Sequence, residues 1–576
     1  MIRRFFQRKG VGRGLAVLTG LILLSAVGEM LLPSLLAQMI NDGVVRAEEQ
    51  VVWTLAISMV GIAGMACVVN FLSVKIASRL STDFAAHLRG AVFAQVQTFS
   101  AVELDRFGTA SLVTRSTSDI TNVQNFLTLL LRLGVLAPMM AVAGLVFSAA
   151  TGGQVSSVLT VAIPVLLLGV GGIVVAASRY SVRLRRELDK LNQRFLESLE
   201  GVRVIRAFHK EQTEQARFDQ ANRRYAATAL AAGRVSSLLM PAINGIFGVT
   251  TAAVLGLGAR YVASGAMGVG SLVANSQYIS MVLLSVMMLA LVIMMFPTAY
   301  ACAKRITEVL ETEGSIRDGT FPVEQRPLRG TVEFRHVTFA YPGAAEPILK
   351  DVSFVSRPGE VTAILGGTGR GKSSLLKLIP RLYDPLFGEV LIDGVNAKEY
   401  RVNDLRDLIG YVPQKSLLFS GDVASNLNFG KADGSQEDWT RAARIACAED
   451  FLEGKEGGYH APVAQAGTNF SGGQRQRLAI ARALMKQAEI YVFDDSFSAL
   501  DMKTDRQLRQ NLKQVLGEAT VILVAQRIST VQEADRILVV EDGQIVGQGT
   551  HQELLASCAL YQEIAALQLG KEAVSE

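Results

Sequence analysis

Six stretches of mostly apolar residues occupy the chain before about Tyr300, at about 15–40, 52–76, 127–150, 155–178, 236–262 and 272–300. Each is long enough to cross a bilayer, which takes roughly 20 residues of helix. Lipid offers the backbone no hydrogen bonds, so segments of this kind must be helical. The first half is therefore expected to be an all-α, multi-pass transmembrane domain. The segments between the spans differ in charge. Asn41 to Gln50 carries Asp42, Glu48 and Glu49 against Arg46, Thr151 to Ser157 carries no charge, and Arg260 to Gly270 carries only Arg260. The alternate set is long and basic: Lys75 to Arg115, Arg179 to Arg234 and the segment after Lys304. By the positive-inside rule both termini and the long segments face the cytoplasm. The basic start, Met1 to Lys9, reads as an interfacial lead-in to a retained first helix rather than a cleaved signal.

The long inner segments are expected to be helical extensions of the spans, since Ser181 to Leu196 has helical apolar spacing and no breaker. Glu29, Asn70, Arg132 and Asn244 fall within spans. Polar groups there mark either a functional site or a water-filled cavity. Met281, Met287, Met288, Met294 and Met295 cluster in the last span; methionines make adaptable binding surfaces or ordinary packing, and packing is the expectation. The net charge of +5 is modest and no Lys/Arg block stands out, so no nucleic acid partner is expected. Cys67, Cys302, Cys447 and Cys558 are scattered without metal spacing.

The second half has the composition of a soluble α/β domain. Glu311 to Leu328 is rich in turn residues and reads as a linker. The expected division is a transmembrane domain at 1–310, a linker at 311–330 and a nucleotide-binding domain at 331–570. In the last of these, Gly366, Gly371, Lys372 and Ser373 satisfy G-x-x-x-x-G-K-[ST]. An apolar run, Val361 to Leu365, leads in and a helix-like run, Ser374 to Leu378, leads out. That is the strand–loop–helix setting of a phosphate-binding loop. Its amides face phosphate oxygens, Lys372 reaches the β- and γ-phosphates, and the Ser373 hydroxyl ligates Mg²⁺. ATP and Mg²⁺ are the expected ligands. Further β-like segments are Thr331 to Phe334, Phe339 to Tyr341, Glu389 to Asp393 and Gly410 to Gln414. Later, Ser471-Gly472-Gly473-Gln474 opens an amphipathic helix, a second anion-binding helix start. Ile490 to Asp495 is a buried-type strand ending in two carboxylates, and Val521 to Gln526 is another with a polar tip.

This order of motifs over nearly the whole chain resembles the ATP-binding cassette (ABC) family. Six spans and one cassette resemble a half-transporter of the exporter type, whose transmembrane domain has the type IV fold. The resemblance implies roles position by position. Tyr341 stacks on adenine. Gly366, Gly367, Thr368, Gly369, Arg370, Gly371, Lys372, Ser373 and Ser374 wrap the phosphates. Gln414 and Asp494, with Ser373, serve the Mg²⁺ site. Ser471 to Gln474 clamp the γ-phosphate of ATP held by another cassette, and Asp501 organises that interface. Cassettes of this family work in pairs, so a second half-transporter chain is implied, with membrane lipid around it. A bacterial plasma (inner) membrane is the expected location.

Two departures fall where hydrolysis belongs. Asp495 replaces the usual glutamate base, and its carboxylate sits roughly 1–1.5 Å back, a displacement that can cost about a hundredfold. Gln526 replaces the usual histidine, and an amide carries neither a proton nor a charge. The loss of a positioned acid–base group costs roughly 10²–10⁴-fold. The expectation is a degenerate site in one half of a heterodimeric exporter, with an intact signature for its partner's site. Its cargo would be amphipathic or hydrophobic: a drug-like molecule, a lipid or a peptide. The rival readings are a homodimeric exporter, an importer on the same fold and an ATP-gated regulator or channel. Arg370 stands where serine is usual; it could add a charge near phosphate or simply point to solvent, and solvent is the expectation. Phe470 before the signature and Gln465-Ala466-Gly467 are lesser departures.

Overall fold

The computed structural model describes residues 11–569, so the basic lead-in Met1–Lys9 lies outside the described residues. The chain forms two compact units. One comprises the described residues up to Gln97 together with Ala110–Thr312. The other comprises Thr98–Thr109 together with Glu313 onward.

In the first unit, α1 is Val11–Gln38, continued by a π-helical turn Met39–Val44. It is followed by α2 (Glu49–Gln97), α3 (Ile120–Gly152), α4 (Val158–Glu200), α5 (Glu211–Ser237), α6 (Leu239–Ala263) and α7 (Val269–Glu311). All six predicted spans are helical, and among the described residues six helices have the length and apolarity to cross a membrane. The helices run well past the apolar windows. α2 continues from the second span to Gln97, and α4 continues from the fourth to Glu200, where Gly201 ends it. Pro33, Pro138, Pro164 and Pro297 lie inside helices. Neighbouring helices tolerate such breaks in lipid by satisfying the freed groups.

The interior joins α1, α3 and α7. Tyr278 is fully buried, donates to the Met30 carbonyl at 3.0 Å, and has its ring 5.7 Å from that of Phe147. Gly144 permits the approach of α3 to α7, because an added Cβ would press into Val282. The outer faces carry the opposite signature. Trp53, Ile57, Val60 and Phe71 on α2 and Leu168 on α4 are all more than 60% exposed. A water-soluble fold rarely shows such faces. Of the candidate polar residues, Glu29, Asn70 and Arg132 are partly buried and Asn244 is exposed. The methionine expectation holds for Met281 and Met287, which pack into apolar clusters. Met294 and Met295 are exposed, so for them packing within this chain is not the role.

The second unit holds β1 (Val332–Phe339), β2 (Leu349–Ser356), β3 (Val361–Gly366), β4 (Phe387–Ile392), β5 (Val395–Asn396), β6 (Ile409–Val412), β7 (Ile490–Asp494), β8 (Thr520–Val524), β9 (Arg536–Glu541) and β10 (Gln544–Gly549). The helices that matter for the site are α8 (Lys372–Leu378), α9 (Gly472–Leu484) and α10 (Met502–Val515). The main sheet runs β10-β9-β3-β8-β7-β6, and a second sheet runs β2-β1-β4-β5. β6, β7, β8, β3 and β9 are parallel neighbours, and every residue of β7 and β8 is buried. A parallel strand covered on both faces must be apolar throughout, which is why these runs lack alternation.

Three details differ from the sequence reading. The two short segments expected at Thr331–Phe334 and Phe339–Tyr341 are one strand, β1, with register shifts around His336, whose φ is +51°. An irregularity of this kind breaks alternation and hides a continuous strand. Tyr341 therefore lies beyond the strand end. The linker is not free: Gly319 donates to the Tyr400 carbonyl and Phe321 to that of Glu399, both at 2.9 Å. Finally, Thr98–Thr109, inside the expected transmembrane stretch, packs with the cassette. Its short helix Ala101–Phe107 is closed by a capping box of Ser100 and Glu103, and Ser315 also donates its backbone N–H to Glu103 at 3.1 Å.

Candidate nucleotide site

The site begins where β3 leaves the sheet. Gly366 passes so close to Val540 of β9 that an added Cβ would strike its carbonyl. Gly369 and Gly371 have φ of +80° and +92°, values only glycine adopts without strain. An added Cβ on Gly371 would lie 2.9 Å from the Ile348 carbonyl. Glycine is thus required both by backbone angle and by space. α8 starts at once, so its first amides point into the loop.

Lys372 is nearly buried and donates to the carbonyls of Gly366 at 2.8 Å and Gly367 at 2.6 Å. Burial pushes its ammonium pKa down, and the charges of Asp495 and Asp494 partly restore it. Ser373 Oγ donates to Asp494 Oδ1 at 2.7 Å. Burial raises the Asp494 pKa against the pull of Ser373 and two lysines. Asp495 is also raised, by burial and then by Asp494 beside it. Its backbone sits in the left-handed region, φ +49°, a strained setting for a non-glycine residue. Gln526 Nε2 donates to Asp495 Oδ2 at 2.9 Å, and Gln414 also hydrogen-bonds that carboxylate.

These groups surround a cavity of about 280 Å³. Of the predicted residues, Tyr341, Thr368 to Ser374, Gln414, Asp495 and Gln526 line it. Gly366 and Gly367 supply the carbonyls that hold Lys372, and Asp494 joins through Ser373. Tyr341 Oη lies 2.9 Å from Ser374 Oγ. Ile348 and Val524 add apolar wall that the motifs did not flag. Arg370 does not simply point to solvent, as the sequence reading expected: it forms an ion pair with Asp542. Asp542 lies in a turn 172 residues away, and the only signal for it was an Asp-Gly hairpin pair.

Ser471 to Gln474 and Asp501 do not line this cavity. Ser471 caps α9: its Oγ accepts from Gln474 N at 3.3 Å, and Gln474 Oε1 accepts from Ser471 N at 2.9 Å. Asp501 caps α10 by accepting from Thr504 N at 2.9 Å. Gln476, which the motifs did not single out, accepts from Ala499 N at 3.2 Å and so ties α9 to the turn before Asp501. Phe470 is buried, with Lys455 Nζ 4.4 Å above its ring, so the bulkier residue before the signature is absorbed by packing. Ala466, in the departing Gln465-Ala466-Gly467 turn, has φ +57°.

The residues fit a nucleoside triphosphate with a divalent cation. The loop has the space and amide direction for a phosphate chain, and Ser373 and Asp494 place two hard oxygen donors side by side, as Mg²⁺ requires. Comparison with known proteins agrees. Residues 15–287 match the ABC transporter transmembrane region and residues 349–498 the ABC transporter model. An uncharacterized ABC transporter ATP-binding protein of Mycobacterium tuberculosis is 40% identical over 563 residues, 96% of both chains. The ATP-dependent lipid A-core flippase of Bordetella pertussis is 30% identical over 99% of this chain and 92% of its own. A bacterial Atm1-family ABC exporter solved with ATP bound superposes with a TM-score of 0.81 at 26% identity, covering 97% of this chain and 99% of that one. The chain belongs to the ABC transporter family: it is an exporter-type half-transporter, an ATP-binding and ATP-hydrolysing membrane protein with one transmembrane domain fused to one cassette.

Proposed function

We propose that this chain is the degenerate-site half of a heterodimeric exporter. The observation that carries the reading is the pair at the end of β7 and β8. The carboxylate that should orient water is a short Asp495, and the Gln526 amide already holds it at 2.9 Å. A glutamine donor there fixes the carboxylate and offers no proton transfer. Lys372, the loop amides and Ser374 bind the triphosphate, Tyr341 and Ile348 hold the base, and Ser373 with Asp494 and Gln414 would hold Mg²⁺. The cation would supply positive charge that offsets the charge of the phosphate chain. The exposed start of α9, with Ser471 and Gln474, offers its amides to ATP on the partner's phosphate loop, and Asp501 borders the same face. ATP binding closes the paired cassettes, and hydrolysis mainly at the partner's loop reopens them.

The cargo is amphipathic. The lipid A-core flippase among the relatives supports a lipid-like molecule, and the exposed Met294, Met295 and Phe296 on α7 supply a soft apolar surface for one. The chain would lie in the plasma membrane, and its basic inner segments support a cytoplasmic cassette. The test is ATPase activity of the purified chain alone and with its partner half. Little turnover alone and brisk turnover together support the reading. Brisk turnover by the lone chain, abolished by Lys372→Ala, refutes the asymmetry.

A further inference from the structure

Arg370 breaks the family pattern of the phosphate loop, and its ion pair with Asp542 is not part of the site described above. Asp542 sits in the turn joining β9 to β10. β9 runs parallel to β3 with Val540 opposite Gly366, so the turn begins beside the point where the phosphate loop leaves the sheet. Asp542 and Gly543 have φ of +47° and +81°, the pair of left-handed residues of a tight hairpin. The turn is fixed in place. Gly543 accepts from Lys350 N at 2.8 Å, and an added Cβ on Gly543 would strike the Ile348 carbonyl. The same Ile348 carbonyl bounds Gly371 of the phosphate loop. Turn and loop thus rest on one platform, and Asp542 is held at a set distance from the phosphate site.

Arg370 is the member of the pair that belongs to the phosphate loop itself. It stands between Gly369 and Gly371, and its side chain folds back over the loop. Its Cγ and Nε lie 3.5 and 3.7 Å from where a Gly367 Cβ would be. It lines the nucleotide cavity, and its guanidinium meets Asp542. The side chains are 44% and 72% exposed, so water screens the pair and it holds weakly. A phosphate offers the guanidinium more charge and a two-oxygen fork. The cavity also has an electrostatic reason to need a second cation. Asp494 and Asp495 both carry negative charge here, offset on the protein side by Lys372 and Lys377, and a triphosphate adds more.

We propose that Arg370 is a second phosphate-binding cation of this site and that Asp542 is a built-in competitor for it, setting how tightly the triphosphate is held. This rests on the assignment of ATP to the loop. In the proposed heterodimer, where this ATP is held more than consumed, the pair would tune how readily the cassettes stay closed.

The test is calorimetric binding of ATP with Mg²⁺ to the full chain in lipid nanodiscs. Asp542→Asn should tighten binding by about two- to fivefold, the range an exposed ion pair carries. Arg370→Ser should weaken it by about tenfold or more, as loss of a charged hydrogen bond does. In the double variant Asp542→Asn should have no further effect, and AMP binding should change little in any variant. If Asp542→Asn weakens ATP binding as much as Arg370→Ser does, the pair merely pins the loop and the proposal is wrong. Equal tightening by Asp542→Asn with or without Arg370 also overturns it, since the effect would then be bulk charge. Lys372→Ala separates the two levels. If it abolishes ATP binding while the Arg370 and Asp542 variants bind like the parent, only this proposal fails. If it leaves binding intact, the assignment of ATP to this loop fails as well.

Discussion

Replacing both unusual residues, Asp495→Glu with Gln526→His, should raise the rate of hydrolysis at this site. The magnitude follows from geometry. A glutamate extends the carboxylate by roughly 1–1.5 Å, and misplacement on that scale is worth about a hundredfold, or ~2.7 kcal/mol of barrier. Histidine restores a group that can carry charge, worth roughly 10²–10⁴-fold by itself. The two gains do not multiply, because Gln526 and Asp495 are in direct contact at 2.9 Å and act as a unit. Asp495→Glu alone should gain less than about tenfold, since the Gln526 amide still pins the carboxylate and the position is only 8% exposed. The double variant should gain about a hundredfold or more. The assay is single-turnover hydrolysis in the heterodimer, with the partner's own phosphate loop disabled so that only this site contributes. A double variant that binds ATP but stays at the parent rate would refute the argument that these two side chains limit the chemistry.

Three other outcomes are expected. Tyr383→Phe removes the hydroxyl that donates to Asp105 Oδ2 at 3.0 Å; Asp105 can turn to water, so stability should fall by only about 1 kcal/mol, while stimulation of ATPase by transported substrate should drop severalfold at unchanged ATP affinity. Ser471→Ala should lower cassette stability by about 1 kcal/mol through the lost cap and should abolish hydrolysis at the partner's site far more than ATP binding to this chain, as read by site-specific trapping of nucleotide. Asp393 is fully buried and its pKa is raised to about 6, by burial chiefly, with Arg326 at 3.3 Å opposing the shift. The folded state therefore holds a proton that the unfolded chain releases near pH 4. Stability from this group is full below about pH 4 and is lost as pH rises through about 6, by on the order of 2–3 kcal/mol. Denaturation followed by Trp439 fluorescence in a Trp53→Phe background should show that slope, and Asp393→Asn should flatten it.

The spans were readable because lipid imposes one requirement on about 20 consecutive residues, and no tertiary contact is needed to see it. The cassette motifs were readable because phosphate binding fixes glycine, lysine and hydroxyl positions within one turn of chain. What sequence missed depends on closeness in space. β9 and β10, Arg536 to Gly549, were not singled out, although β9 is the strand against which Gly366 packs. Val539 and Val540 read only as a short apolar run until β3 lies beside them. Asp542 is marked only as part of an Asp-Gly hairpin pair, and its link to the phosphate loop appears only when Arg370 reaches it across 172 residues. The segment Thr98–Thr109 reads as part of a membrane helix extension. Its capping box at Ser100 and Glu103 was the available signal that the chain breaks there.

Under the proposed degenerate reading, that segment offers a way for bound ATP to act without being hydrolysed. Tyr341, proposed to meet the adenine, stands with its ring centroid 5.2 Å from Tyr383 at 90°. Phe339 closes the cluster, 5.0 Å from Tyr341 and 5.5 Å from Tyr383. Tyr383 is 5% exposed, and burial pushes its hydroxyl pKa well above the usual range, so at any working pH it stays a donor to Asp105. The helix bearing Asp105 follows α2 after three residues of chain. If nucleotide binding reorders Tyr341, it displaces a packed ring and with it the hydroxyl that holds Asp105 on the helix Ala101–Phe107. Nothing in that relay requires a broken phosphate bond. Selection on this site for binding alone is compatible with Asp495 and Gln526, whereas the relay fails if Tyr383 loses either its ring or its hydroxyl. Tyr383→Phe and Tyr383→Ala thus distinguish the two links: the first should cut only the signal to Asp105, and the second should also loosen the adenine side and weaken ATP binding.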